Sequence, residues 1–177
     1  MEKSSLFADA MILMLDVDGV LTDGRITLDG KGGETKIFDV RDGHGLAMLQ
    51  KAGIPVAIIT GRTSDAVAQR ARELGISELH QGVKEKVPVV REILAKFGLG
   101  AKQAVYVGDD LVDLPVLLQV GVAVTVPEAP FEVKANADYV TGRRGGRGAV
   151  REVCEEILKA RGLWEKALEK YLNPEAL

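Results

Sequence analysis

Six polar residues follow short apolar runs in this sequence, and their types complement one another. Asp16 closes the run Met11–Leu15 and is followed by Asp18 and Gly19. Thr60 closes Ile54–Ile59 and leads into Gly61-Arg62; Lys86 ends the stretch Val83-Lys84-Glu85-Lys86; Asp109 and Asp110 follow Ala104–Val107 through Gly108. Two acids at i and i+2 leave a strand in the same direction, and crowding like charges costs energy unless a cation offsets it. Carboxylates suit a hard cation such as Mg²⁺, which keeps several waters and uses one or two protein carboxylates together with substrate phosphate. A hydroxyl and an ammonium suit phosphate oxygens. A carboxylate left over can act as a nucleophile or move a proton.

Each residue alone also has a plain structural explanation. Asp16 and Asp18 could form a solvated turn. Thr60 could cap the next helix, although Ser64 is better placed to do so. Lys86 could be an exposed lysine in a first helical turn, where a cation is unfavourable, and Lys84 competes with it two residues earlier. Four strand ends of matched chemistry are harder to explain as turns, because in a doubly wound sheet such ends sit side by side.

The elements that would place them alternate. Met11–Leu15 is short, continuous and bounded by a glycine turn, as a buried parallel strand should be. Arg25–Leu28 and Glu34–Phe38 flank Asp29-Gly30-Lys31-Gly32-Gly33, a hairpin signal, so a flap over about residues 24–39 can stand above the acidic strand end. Gly45–Ala52 reads as a helix stopped by Gly53. Ile54–Ile59 is a strand, and Ser64–Leu74 a helix ended by Gly75. Glu78–His80 is a short strand, followed by a helix to Phe97. Ala104–Val107 is a strand, and a further helix runs toward Val120. Val122–Val126 is a strand, Phe131–Ala135 a helical turn, Tyr139-Val140 a last short strand and Ala149–Ala160 a helix. Strands alternating with helices predict right-handed βαβ units, hence an α/β fold with a doubly wound parallel sheet. From Leu163 to Leu172 apolar residues recur at helical spacing, and Trp164 on that stripe reads as packing.

At 177 residues the chain predicts one domain, with 46% hydrophobic and 28% charged residues, ordinary for a globular protein. A net charge of −3 and the lack of a basic run argue against nucleic acid as a partner. The single Cys154 cannot form an internal disulfide, which fits a reducing compartment. The apolar run before Asp16 is too short for a signal-peptide core, and no segment approaches membrane-spanning length. The expectation is a cytoplasmic protein that does not associate with membranes. His44 and His80 have no ligand-spaced partner and are expected to be structural.

Asp16-Val17-Asp18-Gly19-Val20, Thr60-Gly61-Arg62, Lys86 and Gly108-Asp109-Asp110-Leu111-Val112-Asp113 resemble, in order, the four motifs of haloacid dehalogenase superfamily phosphohydrolases. The longer stretches LDVDGVLTDG, FDVRDGHGL, IITGR, YVGDDLVDLPV and GGRGAVREV resemble the phosphatases of 3-deoxy-D-manno-octulosonate 8-phosphate over roughly Leu13 to Leu158. They also fit relatives acting on nine-carbon keto-acid phosphates. The resemblance implies an Mg²⁺-dependent phosphomonoesterase of lipopolysaccharide biosynthesis. In it Asp16 attacks phosphorus and forms an aspartyl-phosphate, while Asp18 gives and takes the proton. Asp16, the Asp18 main-chain carbonyl and Asp109 hold the metal. Asp110 stands behind it or orients Lys86, Thr60 binds a phosphoryl oxygen, and Lys86 neutralises charge. Asp113 is expected to bond the Asp109–Leu111 turn rather than the metal.

Superfamily members usually carry a cap domain, and the intervals Asp18–Ile54 and Thr60–Lys86 leave no room for one. Phosphate and metal contacts alone select poorly among esters, so other groups must contact the sugar. The candidates are the flap, the 142–148 loop, and Arg62 with Arg70, whose guanidinium forks together suit a carboxylate. The resemblance implies that Asp39, Val40, Arg41, Asp42, Gly43 and Ala47 serve a neighbouring subunit's site within a homotetramer. The Gly145–Gly148 loop is expected to carry the C-terminal tail, about residues 162–177, over the site. A non-catalytic oligomerisation module of the same fold is the rival of another class.

Overall fold

The computed structural model describes residues 3–30 and 33–172. The chain runs α1 (Lys3–Leu6), β1 (Ile12–Leu15), β2 (Thr27–Leu28), β3 (Glu34–Thr35), α2 (Val40–Lys51), β4 (Val56–Ile59), α3 (Asp65–Glu73), β5 (Glu78–His80), α4 (Lys86–Phe97), β6 (Ala104–Val107), α5 (Leu114–Leu117), β7 (Val122–Thr125), α6 (Phe131–Ala135), β8 (Tyr139–Val140), α7 (Ala149–Ala160) and α8 (Trp164–Leu172). Six strands form one parallel sheet in the order β5-β4-β1-β6-β7-β8, and β2 and β3 pair separately as an antiparallel hairpin. The chain winds outward from β1 through β4 to β5, then crosses back to β6 and continues to β8. The switch therefore falls at β1, where such sheets bind ligands.

The sheet is buried on both faces because its central strands are predominantly apolar. In β1, Leu13 and Leu15 join Val56, Ile58, Val105 and Val107 in the core shared with α2, α3 and α7. Ile12 and Met14 join Ala57, Ile59 and Tyr106 in the opposite core, under α4 and α5. The period of two carries on past the strand, so Asp16 leaves on the Tyr106 side.

The expected α/β doubly wound sheet is therefore the observed fold, with four local differences. The hairpin ladder spans only Thr27–Leu28 and Glu34–Thr35, shorter than the two apolar arms suggest. Helix α2 begins at Val40, not Gly45, with Asp39 as its N-cap accepting from the Arg41 N–H. The helix toward Val120 is a 3₁₀ turn at Leu111–Asp113 followed by one α turn ending at Leu117. Helix α1 carries no sequence signal.

Helix α7 packs along α2 and buries the Cys154 thiol between them, where burial pushes its pKa up. Beyond it, Leu163, Trp164 and Ala167 pack against the same core. Tyr171 Oη lies 2.6 Å from His44 Nε2, and Arg151 Nη1 lies 2.8 Å from His44 Nδ1. His80 sits beside Glu78 at 3.3 Å. Both histidines thus hold structural positions. Among the described residues no helix is long and apolar enough to cross a membrane.

Candidate active site

Parallel pairing of β1 with β4 on one side and β6 on the other brings Asp16, Thr60 and Asp109 to one edge of the sheet. The loop after β5 returns to the same edge and places Lys86 at the start of α4. Asp16, Asp18, Thr60, Lys86, Asp109 and Asp110 all line one open cavity of about 520 Å³, together with Arg62 and Lys84.

Asp16 is 7% exposed. Its N–H donates to the Val107 carbonyl at 3.0 Å, Oδ1 accepts from the Val17 N–H at 2.7 Å, and Oδ2 lies 3.0 Å from Lys86 Nζ. Lys86 donates also to Asp113 Oδ1 at 2.7 Å, and so does Tyr106 Oη at 2.6 Å. Asp113 Oδ2 accepts from the N–H groups of Asp109 and Asp110 at 3.1 and 3.4 Å. Both Asp113 oxygens are thus engaged, and this wholly buried carboxylate shapes the turn and aims Lys86. Of the two competing lysines, Lys86 is the one bonded to Asp16; Lys84 only lines the cavity. Burial opposes charge on Lys86, but Asp16 and Asp113 outweigh it and raise its pKa.

Carboxylate oxygens of Asp16, Asp109 and Asp113 lie within 4.8 Å of one another. Burial, aided by the Asp113 charge and opposed by Lys86, raises the Asp16 pKa to about 6. Burial and the charges of Asp16, Asp113 and Asp110 raise that of Asp109 to about 7. Acids held this uncomfortably are relieved by a divalent cation, and of the three Asp16 and Asp109 line the open cavity whereas the buried Asp113 does not. The donor set is all oxygen and fits a hard cation. Gly19, at φ +83°, is required here, because a Cβ at this position would stand 1.9 Å from Asp109 Oδ2.

Thr60 is buried; its N–H donates to the His80 carbonyl at 2.9 Å, and its Oγ1 accepts from the Arg62 N–H at 3.4 Å. This local turn keeps the hydroxyl at the cavity wall. Ser64 occupies the N-cap position of α3, but makes no capping bond through its hydroxyl. Asp110 Oδ1 accepts from the Leu111 N–H at 2.7 Å and opens the 3₁₀ turn.

The expected substrate-binding residues separate into two groups. Arg62 lines the cavity and pairs with Glu34 at 2.7 Å. Arg70 lies apart from Arg62 in a small crevice with Asp39, Asp42 and Gly43, so the two guanidiniums do not form one fork in this chain. Asp39, Val40, Arg41, Asp42, Gly43 and Ala47 belong to the start of α2 and line no part of their own chain's cavity. Asp39 and Arg41 are paired with each other at 2.7 Å. The Asp42 carboxylate is buried and accepts from the N–H groups of Gly148 at 3.2 Å and Arg151 at 2.7 Å. It caps the first turn of α7 from outside.

The 142–148 loop also departs from expectation. The Gly146 N–H donates to the Val20 carbonyl at 2.8 Å, so the loop braces the root of the flap. The chain then turns into α7, none of whose residues lines the cavity. Among the described residues no part of α8 lines the cavity; residues 173–177 of the expected tail lie outside the described residues.

Two residues here carried no sequence signal. Lys36 of the flap reaches Asp18 Oδ1 at 2.5 Å, and Glu34 lies 3.3 Å from Lys36 and 2.7 Å from Arg62. Their only trace in the sequence is an alternation of charged and apolar residues along the hairpin arm, which reads equally as a solvated edge.

The sheet order and the four polar strand ends are those of a phosphoryl-transfer enzyme built without a cap. A family model described as haloacid dehalogenase-like hydrolase matches residues 33–121. The chain is 46% identical to 3-deoxy-D-manno-octulosonate 8-phosphate phosphatase KdsC of Yersinia pestis over 90% of its own length and 86% of the relative's. It is equally similar to the protein of that name from Escherichia coli K12, over 88% and 83%. The solved Moraxella catarrhalis 3-deoxy-D-manno-octulosonate 8-phosphate phosphatase, in complex with magnesium ion, phosphate ion and a KDO molecule, superposes with a TM-score of 0.93. That likeness has 41% identity and covers 96% of this chain and 98% of the other. The chain belongs to the haloacid dehalogenase-like hydrolases and, within them, to the 3-deoxy-D-manno-octulosonate 8-phosphate phosphatase family.

Proposed function

We propose that this chain is an Mg²⁺-dependent phosphomonoesterase that hydrolyses 3-deoxy-D-manno-octulosonate 8-phosphate to 3-deoxy-D-manno-octulosonate and phosphate, in the cytoplasm, for lipopolysaccharide biosynthesis. The observation that carries this reading is the convergence of Asp16, Asp109, Thr60 and Lys86 at adjacent parallel strand ends in one cavity. Mg²⁺, held by the Asp16 carboxylate, the Asp18 main-chain carbonyl and Asp109, supplies positive charge to the phosphoryl oxygens, with Asp110 one layer behind.

Ionised Asp16 attacks phosphorus in line. The bond from phosphorus to the sugar oxygen breaks as Asp18 passes its proton to the leaving alkoxide. Water then attacks the aspartyl-phosphate, giving its proton to Asp18 and releasing phosphate, which returns Asp16 to its starting form. Thr60 donates its hydroxyl to a phosphoryl oxygen. Lys86, held by Asp113, offsets charge on both Asp16 and the phosphoryl group, and positioning with charge neutralisation supplies most of the acceleration.

The chain acts as one phosphatase domain with residues 24–39 as its flap, and it assembles as a homotetramer with sites at subunit interfaces. Exposed Ile26, Leu28, Ile37 and Val40 gather on the flap and at the start of α2, which supports an assembly through that face. The start of α2, with Asp39, Val40, Arg41, Asp42, Gly43 and Ala47 and with Arg70 beside it, then meets the neighbour's sugar acid, while Arg62 serves its own cavity.

The test is kcat/KM over a panel of phosphate esters in Mg²⁺. The eight-carbon keto-acid phosphate should lead simple sugar phosphates by about a hundredfold or more. A lead for the nine-carbon acid keeps the chemistry and changes the substrate; no hydrolysis of any ester makes the chain a non-catalytic module.

A further inference from the structure

Lys36 lies one residue past β3, yet its side chain is only 2% exposed, because the flap folds back over the site. Its ammonium stands 2.5 Å from Asp18 Oδ1 and 3.3 Å from Glu34 Oε1. The other oxygen of Glu34 accepts from Arg62 at 2.7 Å. Four charges of alternating sign thus run from Asp18 through the flap to the loop after β4. An ammonium so far removed from water is tolerated only where carboxylates compensate it. The Lys36 arm of the flap is therefore joined to the Asp18 side chain by an ion pair. Asp18 lies outside the cluster of Asp16, Asp109 and Asp113, so the flap, and not the metal cluster, holds its carboxylate.

We propose that Lys36 is a positioning residue for hydrolysis: the flap delivers its ammonium to Asp18, keeps that carboxyl beside the leaving oxygen, and stabilises the carboxylate formed when the proton departs. Glu34 and Arg62 hold Lys36 from the other side. This rests on the reading of Asp18 as the proton-transfer group. In the step concerned, the Asp18 proton moves to the sugar oxygen as its bond to phosphorus breaks. The negative charge that would otherwise build on that oxygen ends on Asp18, next to Lys36. Help of this kind matters for an alkoxide, a poor leaving group, and little for a stabilised phenolate that departs without a proton.

The test compares kcat/KM for the sugar-acid phosphate and for p-nitrophenyl phosphate in wild type, Lys36→Met, Lys36→Arg and Asp18→Asn. This ratio reports steps up to departure of the first product, so the later water attack does not enter. Lys36→Met is expected to lose about a hundredfold on the sugar phosphate, and at least about tenfold more there than on the aryl ester. Lys36→Arg should recover most of the difference. An equal loss on both esters, or a loss confined to KM, would overturn the proposal, since a structural or substrate-binding lysine makes no distinction between leaving groups. Failure of Asp18→Asn itself to discriminate between the esters would remove the reading of Asp18, and the proposal with it.

Discussion

Lys86 and Asp113 form a buried ion pair at 2.7 Å, and that pair fixes where the ammonium points. Lys86 is the first residue of α4, where the helix dipole disfavours a cation. Asp113 supplies the compensating charge from the turn after β6, so α4 and β6 are tied together directly beneath Asp16. Asp113→Asn keeps the shape and removes the charge. It should destabilise the fold by about 3 kcal/mol, as breaking one side of a buried pair does, and lower kcat by about a hundredfold. Thermal melting and saturating kinetics measure both; an unchanged melt would show that Lys86 is placed by other contacts.

Asp16 and Asp109, with pKa values raised to about 6 and about 7, should make metal binding pH-dependent. Without metal, the folded chain keeps protons that the unfolded chain has released above about pH 4. The stability these two groups contribute is therefore full below that pH and is lost as pH rises through 6 to 7. Bound Mg²⁺ should reverse the trend, and its affinity should weaken as pH falls from 7.5 to 5.5, with proton release on binding. Melting with and without Mg²⁺ and calorimetry across that range test this. A pH-independent affinity would mean the two acids are not its ligands.

Gly19→Ala tests how close Asp109 must come. The new methyl has to displace the Asp109 carboxylate, and the backbone at φ +83° adds strain. Mg²⁺ affinity should fall about 10–100-fold, the scale on which displaced supporting groups act at metal sites. Titration with Mg²⁺ gives the answer, and wild-type affinity would place the ion away from Asp109.

Asp42→Ala separates a structural acid from a binding one. Loss of a cap costs about 1–2 kcal/mol, read as a lowered melting temperature with KM little changed. A normal melt with a large rise in KM would instead put the Asp42 side chain in a substrate site.

The sheet was legible because its strands are continuous apolar runs ending in polar groups, a pattern that burial on both faces enforces. The reach of α2 was not. Gly43 argues against a helix by propensity, but a Cβ at 43 would stand 3.1 Å from Leu74 Cδ2, and one at 45 would stand 3.1 Å from the Arg151 backbone. Packing against α3 and α7 selects glycine there, and no local signal carries that. The meeting of Asp16, Thr60, Lys86 and Asp109 in one cavity was legible from spacing along strand ends, whereas their separate roles were what the family resemblance implied. Those of Lys36 and Glu34 depend on how far the flap folds back, a tertiary fact with no periodicity of its own.

Everything in the proposed hydrolysis depends on Asp16 being the group that attacks phosphorus. The most direct measurement is turnover of the sugar-acid phosphate by Asp16→Asn in saturating Mg²⁺, on protein whose melt shows it folded. Loss of turnover to background is the predicted result. Retained Mg²⁺-dependent hydrolysis at a substantial fraction of the wild-type rate would contradict it.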